Sequence, residues 1–489
     1  MLFNSLDFAL FFPVVFLLYW TFAKHLTVRN AFLLAASYFF YGWWDWRFLF
    51  LIAFSSLVDF FVGKYLYKAT GNTRRKVLLW TSISVNIGLL AYFKYANFFI
   101  ESFVDSFRLF GQDLEVAPLQ IILPVGISFY TFQTLSYTID IYKRKLEPTN
   151  NALAFFTFVA FFPQLVAGPI ERASHLLPQF FKTYKFNYHQ VKSGLLLMAF
   201  GLFKKMVIAD RAAILVNQVY GDPGSYDGYQ LVVATFFFAV QIYCDFSGYS
   251  DIAIGIARTM GFDLMKNFDS PYFSKSITEF WRRWHISLST WFRDYVYIPL
   301  GGSRGGTYKT YANLFIVFLV SGLWHGAAFT FVIWGAIHGV IIVLEKAFTK
   351  QRENLKNGFQ KLKLSKLYAF GSLLVTFFIV CVAWVFFRAE SLREAGLILR
   401  NSVDLNYGKL FHGGLGTMGL AESEIYLLLV LIVLLVLFEL RHRTKPMAHY
   451  IARRPIYVRW SLYLVVVFSL LLFGIYGDDQ VSEFIYFQF

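Results

Sequence analysis

The sequence predicts an all-α, polytopic membrane protein of about 11–13 transmembrane helices, with re-entrant and interfacial amphipathic helices among them. Three observations predict it. Apolar runs of membrane-crossing length recur along the whole chain. Of the 489 residues, 57% are hydrophobic, 21% aromatic and only 15% charged, where soluble domains average about a quarter charged. The basic residues gather in loops between the apolar runs, a pattern that orients membrane proteins.

A spanning helix needs about 20 apolar residues. Runs of that kind lie near 6–22, 30–46, 48–66, 77–95, 119–140, 193–219, 229–258, 311–326, 328–346, 367–388, 424–440 and 460–476. The first run, Phe8 to Trp20, has no basic stretch before it and no small-residue cleavage site after it, so it reads as a retained span. The pair near 311–346 is short and closely joined, so one member is expected to be tilted or broken. The stretch 152–180 is apolar but interrupted by Pro163, Pro169 and Pro178. Proline disrupts helix hydrogen bonding, so a re-entrant or kinked element is expected there.

Basic clusters occur at Lys24/Arg29, Lys64 to Lys76, Lys143 to Lys145, Arg282 to Lys309, Lys346 to Lys366 and Arg441 to Arg459. Twelve spans with 152–180 re-entrant put all six on one side, the cytoplasm, and both termini outside. The loops 221–228 and roughly 389–423 then face outward. A net charge of +15 suits an anionic lipid leaflet; no zinc-finger or RNA-binding signature accompanies it, and no nucleic-acid partner is expected. Cys244 and Cys381 lie in apolar segments, as buried thiols rather than a disulfide framework. With no internal repeat and no low-complexity linker, residues 1–489 read as one integral membrane domain.

The polar interval from 276 to 339 is where chemistry is expected, because ionisable side chains in a bilayer usually face the protein interior or a water-filled path. Residues 276–295 read as one amphipathic helix: Ser276 and Glu279 have capping-box spacing, and Phe280, Trp281, Trp284, Leu288, Trp291, Phe292 and Tyr295 recur at helical spacing. Lying in the cytoplasmic interface, it would turn Arg282, Arg283 and Arg293 toward headgroups. It is either a structural interfacial element or a docking surface for an anionic acyl donor, a coenzyme or a carrier-borne phosphopantetheine. Arg304 within GGSRGG adds to the second reading, since backbone N–H groups and a guanidinium hold phosphate; the loop is also readable as a plain turn.

His325 sits in SGLWHGA, where a short span ends or breaks. Desolvation keeps a buried imidazole neutral and able to accept a proton, which suits a base for a hydroxyl nucleophile. A packing hydrogen bond is the equal alternative. His338, thirteen residues on, reads as structural. Near His285 and His325 no His, Cys or Glu stands at ligand spacing, so no catalytic metal is expected. A second polar patch, 241–263, carries Asp245 and Asp251 among small residues. It reads first as a buried packing node, with either carboxylate able to orient a histidine.

The run YCDFSGYSDIAIGIARTMGFDLMKNFDSPYFSKSITEFWRRWHISLSTWFRDYVYIPLGGSRGG resembles the bacterial membrane-bound O-acyltransferases (MBOAT family). So do FFPQLVAGPIER and FLVSGLWHGAAFTFVIWGAIHG, with the likeness strongest over about 120–345 and extending to MLFNSLDFALFFP and EFIYFQF. The branch most resembled is that of alginate O-acetylation, with teichoic acid D-alanyl transfer a cousin. The resemblance implies an MBOAT-like bundle around a central tunnel, with C-terminal helices over 367–489, in the inner membrane of a bacterium. It implies a catalytic role for His325 and puts His285 beside it on the donor side; the candidate donor- or substrate-binding residues are Trp324, Trp284, Arg282, Arg293, Arg304, Asp245 and Asp251. It implies no tightly bound cofactor, an acyl donor that is acetyl-CoA or an acyl carrier protein thioester, and an exported partner of SGNH type within polysaccharide machinery.

The expected activity is acyl transfer, with acetyl the first candidate, across the membrane for O-acetylation of an exported polysaccharide such as alginate. D-alanyl transfer to a teichoic acid-type polymer is the alternative within the family. A transporter would show paired broken helices and repeats, which are not evident. A silent scaffold for polymer export is the remaining alternative.

Overall fold

The computed structural model describes every residue except 113, 115, 405–413, 443–449, 452, 477–483 and 486–489. Residues 405–413 of the expected loop 389–423 and most of the C-terminal EFIYFQF therefore lie outside the described residues. Among the described residues the regular elements are all helical. Seven helices are long and apolar enough to cross a bilayer: Phe48–Lys68, Asn72–Arg108, Gly228–Thr259, Phe329–Ala347, Ser365–Arg388, Glu422–Arg441 and Ile456–Phe473. This is a multi-pass α-helical membrane protein.

Of the other expected spans, Thr307–His325 is an unbroken helix of 19 residues; the rest are helical but shorter or interrupted. Leu6–Phe22 and Leu26–Gly42 have 17 residues each. In 119–140 the helix begins only at Ile127, because Pro118 and Pro124 withdraw backbone donors. Gly126 just before it adopts φ 76°, and a Cβ there would meet the Leu165 carbonyl oxygen at 2.7 Å. The run 193–219 is Tyr188–Leu202 and Asp210–Gly221 joined by a π-helical turn, Phe203–Ala209, with Lys204, Lys205, Asp210 and Arg211 in its middle.

The chain forms two compact units, residues 1–198 with 252–265, and 199–251 with 266–489. In the first, the proline-interrupted stretch is broken as expected into Ala152–Ala160, Phe162–Leu165, Ala173–Leu176 and a 3₁₀ turn, Leu177–Phe181. Backbone carbonyls that such breaks expose need donors. Buried Arg29 donates to the carbonyls of Phe180 and Lys182, and Asn30 also donates to Phe180. Glu171 closes the same region, accepting from the Met265 N–H and bonding His175 Nδ1.

In the second unit, Thr307–His325 and Phe329–Ala347 cross at very short range. A Cβ on Gly322 would lie 2.3 Å from the Phe331 carbonyl oxygen, and one on Gly335 2.3 Å from that of Phe318. Glycine at both positions is what lets the backbones approach. The charged middle of 204–211 is also resolved here: Lys205 Nζ stands 2.8 Å from both Asp210 and Asp245, and Lys204 Nζ 2.6 Å from Asp251. Buried charges need such pairing.

Candidate active site

The stretch 276–295 is not the single interfacial helix that its periodicity suggests. It forms two seven-residue helices, Ile277–Arg283 and Ile286–Phe292, followed by a π-helical turn, Arg293–Tyr297. Ser276 does cap the first, accepting from the Glu279 N–H. Between the two, His285 takes φ 43°, ψ 55°, a left-handed conformation uncommon for a side chain with a Cβ. The aromatic stripe is buried in protein rather than in a headgroup layer: Phe280, Trp281, Trp284, Leu288, Trp291 and Phe292 are all buried.

Contacts along the Phe329–Ala347 helix show how the hairpin runs. At its foot the Glu345 carboxylate accepts the N–H groups of Ile277 and Thr278. Further up, the Trp281 ring meets His338 at 5.2 Å and Trp334 at 5.6 Å between centroids. At the top, the His285 ring is 6.0 Å from Trp324 and 6.4 Å from His325. From Glu345 to Trp334 the helix rises about 16 Å at 1.5 Å per residue. The two short helices form a hairpin with His285 at its apex.

His325 reaches the same place from the same end, on a helix antiparallel to Phe329–Ala347. It is the last residue of Thr307–His325, about 27 Å along that helix from its start. There the chain must leave the helix sharply: a Cβ on Gly326 would fall 2.1 Å from the Phe331 ring. Trp324, Trp334 and Phe387 surround the His325 ring at 4.8, 4.9 and 5.4 Å. Both histidines are buried. His338 is wedged among Phe280, Trp281 and Trp334, in keeping with a packing role.

A cavity of about 240 Å³ opens beside the hairpin. Trp281, Val317, Phe318 and Ser321 line it, one helical turn below His325, and the exposed Arg282 and Arg293 stand at its rim. Arg304 lies elsewhere, exposed on a turn that Gly301, Gly302 and Gly306 form at positive φ. Asn313 staples that turn to the helix by donating to the carbonyls of Leu300 and Gly302. Trp284 packs on Trp384 and Phe280, as part of the aromatic wall.

Asp245 and Asp251 do not contact either histidine in the ways expected of an orienting carboxylate. Asp251 holds Lys204, and Asp245 holds Lys205 while accepting the Ile485 N–H at 2.8 Å. That last bond seats Phe484 on Phe246 and Tyr249, and Phe246 in turn stands edge-on to His285 at 4.6 Å. The group that does bond His285 is Asn267, whose Oδ1 is 3.1 Å from Nδ1. Sequence reading passed over it, because a lone Asn between Lys266 and Phe268 has no spacing signal. Glu345 and Trp334 were passed over likewise.

The second unit thus brings two buried histidines together at the meeting point of a helical hairpin and a helix end, near a cavity whose lining includes two exposed arginines. Residues 142–385 match the MBOAT, membrane-bound O-acyltransferase family, and the chain belongs to it. It is 38% identical to the protein named "Probable alginate O-acetylase AlgI" of Pseudomonas putida, over 98% of each chain. It is 36% identical to the peptidoglycan O-acetyltransferase of Helicobacter pylori, over 82% of this chain and 79% of that one. The teichoic acid D-alanyltransferase of Bacillus subtilis is 26% identical over 56% of this chain and 70% of its own. The chain is an O-acyltransferase.

Proposed function

We propose that the chain, acting as one integral membrane domain, transfers an acetyl group from a cytoplasmic thioester toward the hydroxyls of an exported polysaccharide. The observation that carries this reading is the approach of His285 and His325, 6.4 Å between rings, next to a cavity with Arg282 and Arg293 at its rim. Arginines suit the phosphates of coenzyme A or of a carrier-borne phosphopantetheine. The ring-lined interior suits the uncharged arm that ends in the thioester.

In this reading His325 is the general base. It takes the proton from an acceptor hydroxyl as the oxygen attacks the thioester carbonyl, and gives it to the departing thiolate when the tetrahedral intermediate collapses. His285 positions the acyl donor. The basic loops mark the cytoplasmic side of an inner membrane, and acetyl leaves on the other side for an exported SGNH-type partner or the polymer itself. Relatives named for alginate and for peptidoglycan support a polysaccharide as the acceptor class. The donor is acetyl-CoA or an acyl carrier thioester.

The test is transfer of labelled acetyl in proteoliposomes carrying the wild type or His325→Ala, with acetyl-CoA, acetyl carrier protein and D-alanyl carrier protein as competing donors. Activity confined to the wild type and to an acetyl donor is expected. Full activity of the alanine variant would remove His325 from the mechanism, and preference for the D-alanyl carrier would replace the donor.

A further inference from the structure

Asn267 is 1% exposed, uncharged and not nucleophilic. Nonetheless it holds both the backbone and the ring at the apex of the hairpin. Its carbonyl oxygen accepts the Ile286 N–H at 2.9 Å, and two residues on, the Asp269 N–H donates to the Arg283 carbonyl at 2.9 Å. These two bonds straddle His285 and fix its left-handed turn. A conformation of that kind persists only where surrounding structure over-determines it.

The side chain does something more specific. Its Oδ1 accepts from Ser287 Oγ at 2.9 Å and from the Ser287 N–H at 3.4 Å, while its Nδ2 donates to Ser250 Oγ at 3.1 Å. A backbone N–H can only donate. The amide atom facing Ser287 is therefore the oxygen, which settles the amide's orientation without appeal to the histidine. His285 Nδ1 lies 3.1 Å from that same oxygen, so Nδ1 must carry the proton. A neutral imidazole has one ring proton, and the lone pair is then on Nε2.

We infer that Asn267 is the positioning residue that fixes His285 in the Nδ1–H tautomer, with the ring's lone pair on Nε2. The inference rests on the proposed acyl transfer for its chemical meaning and sharpens the part His285 plays in it. A ring with its lone pair at Nε2 accepts a hydrogen bond. It can hold an N–H or O–H of a reactant, such as the amide of a pantetheine arm or the acceptor hydroxyl. It cannot donate to the oxyanion of the tetrahedral intermediate from that nitrogen. His285 is thus an acceptor that aligns a reactant, not an oxyanion donor.

The test is nitrogen NMR of the full-length protein in lipid nanodiscs with ring-labelled histidine, the His285 signals assigned by their loss in His285→Gln. The wild type is expected to show a protonated Nδ1 and an unprotonated Nε2. In Asn267→Ala the tautomer should mix or invert, with kcat falling about 10- to 100-fold, the range for a partner that orients a functional imidazole, and donor KM moving much less. Asn267→Asp keeps an acceptor in the same place and should restore both tautomer and most of kcat. A proton found on Nε2 in the wild type overturns the inference even if the alanine variant fails to fold. So does an alanine variant that keeps both tautomer and kcat. A switched tautomer with unchanged kcat would overturn the positioning role and remove His285 from the reaction, while acyl transfer at His325 is read independently by His325→Ala.

Discussion

The dipeptide Trp-His occurs twice in this chain, at 284–285 and 324–325, and the second unit holds the two copies by different means. His285 is fixed by hydrogen bonds: its turn by segment 267–269, its Nδ1 by the Asn267 amide. His325 ends a 19-residue helix and is shaped by packing, with Trp324, Trp334 and Phe387 around its ring. Hydrogen bonds set a ring's orientation and its tautomer in advance. Aromatic walls exclude water and leave the ring's chemistry to whatever reactant arrives. In the proposed reaction one histidine aligns a reactant and the other takes the proton.

If that division holds, the two must differ when removed. His325→Ala should lower acyl transfer by about 10²- to 10⁴-fold, the usual contribution of a general base, with membrane insertion unchanged; single-turnover transfer of labelled acetyl measures it. His285→Ala should cost less, about 10- to 100-fold as for the loss of an orienting partner. The double variant breaks or sharpens the distinction. Residues acting as one unit are grossly non-additive, so a double variant no worse than His325→Ala would mean that His285 acts only through His325. Further loss in the double variant would mean that alignment by His285 survives without the base.

The arginines at the cavity rim should report on the donor alone. Arg282 and Arg293 are exposed, and exposed charges contribute at most about 1 kcal/mol to a contact. Replacing either with Ala should raise donor KM about fivefold, leave kcat in place and weaken the salt dependence of KM. Initial rates at several donor and salt concentrations decide it. A fall in kcat at constant KM would put these side chains in the transition state rather than at the entrance, and the cavity would need another role.

Much of this was legible in the residues, and the illegible part has a common cause. Apolar runs declare themselves because lipid demands about 20 residues without exposed charge. Where the runs carry polar groups, the outcome is set by partners far away in sequence. Lys204 and Lys205 were absorbed into an apolar span at 193–219, although they are the cations that Asp245 and Asp251 require. The break at His285 was invisible for the same reason: a Trp/Phe/Leu stripe has the same spacing whether it faces lipid or a protein wall. Segment 267–269, lying across the turn, bonds the backbone on both sides of the left-handed histidine. His325 was easier, because Gly326 beside it marks a helix end directly.

The smallest effect should come from the foot of the hairpin, where the height of His285 is set. Glu345 accepts from Ile277 N, Thr278 N and Thr278 Oγ1 at 2.8, 2.9 and 2.7 Å, and pairs with Arg352 at 3.4 Å. A carboxylate at the first turn of Ile277–Arg283 satisfies donors that the helix itself leaves open. Glu345→Gln keeps one oxygen and loses the charge and the second acceptor, a loss of about 1–2 kcal/mol. Thermal unfolding in detergent should fall by a few degrees, and kcat by less than about threefold, because the Asn267 bonds still hold the apex. A loss of kcat as large as that of His285→Ala, with unfolding unchanged, would show that the apex is positioned from the foot and not from Asn267. The contrast between a histidine held by hydrogen bonds and one held by packing would then have to be drawn over the whole hairpin.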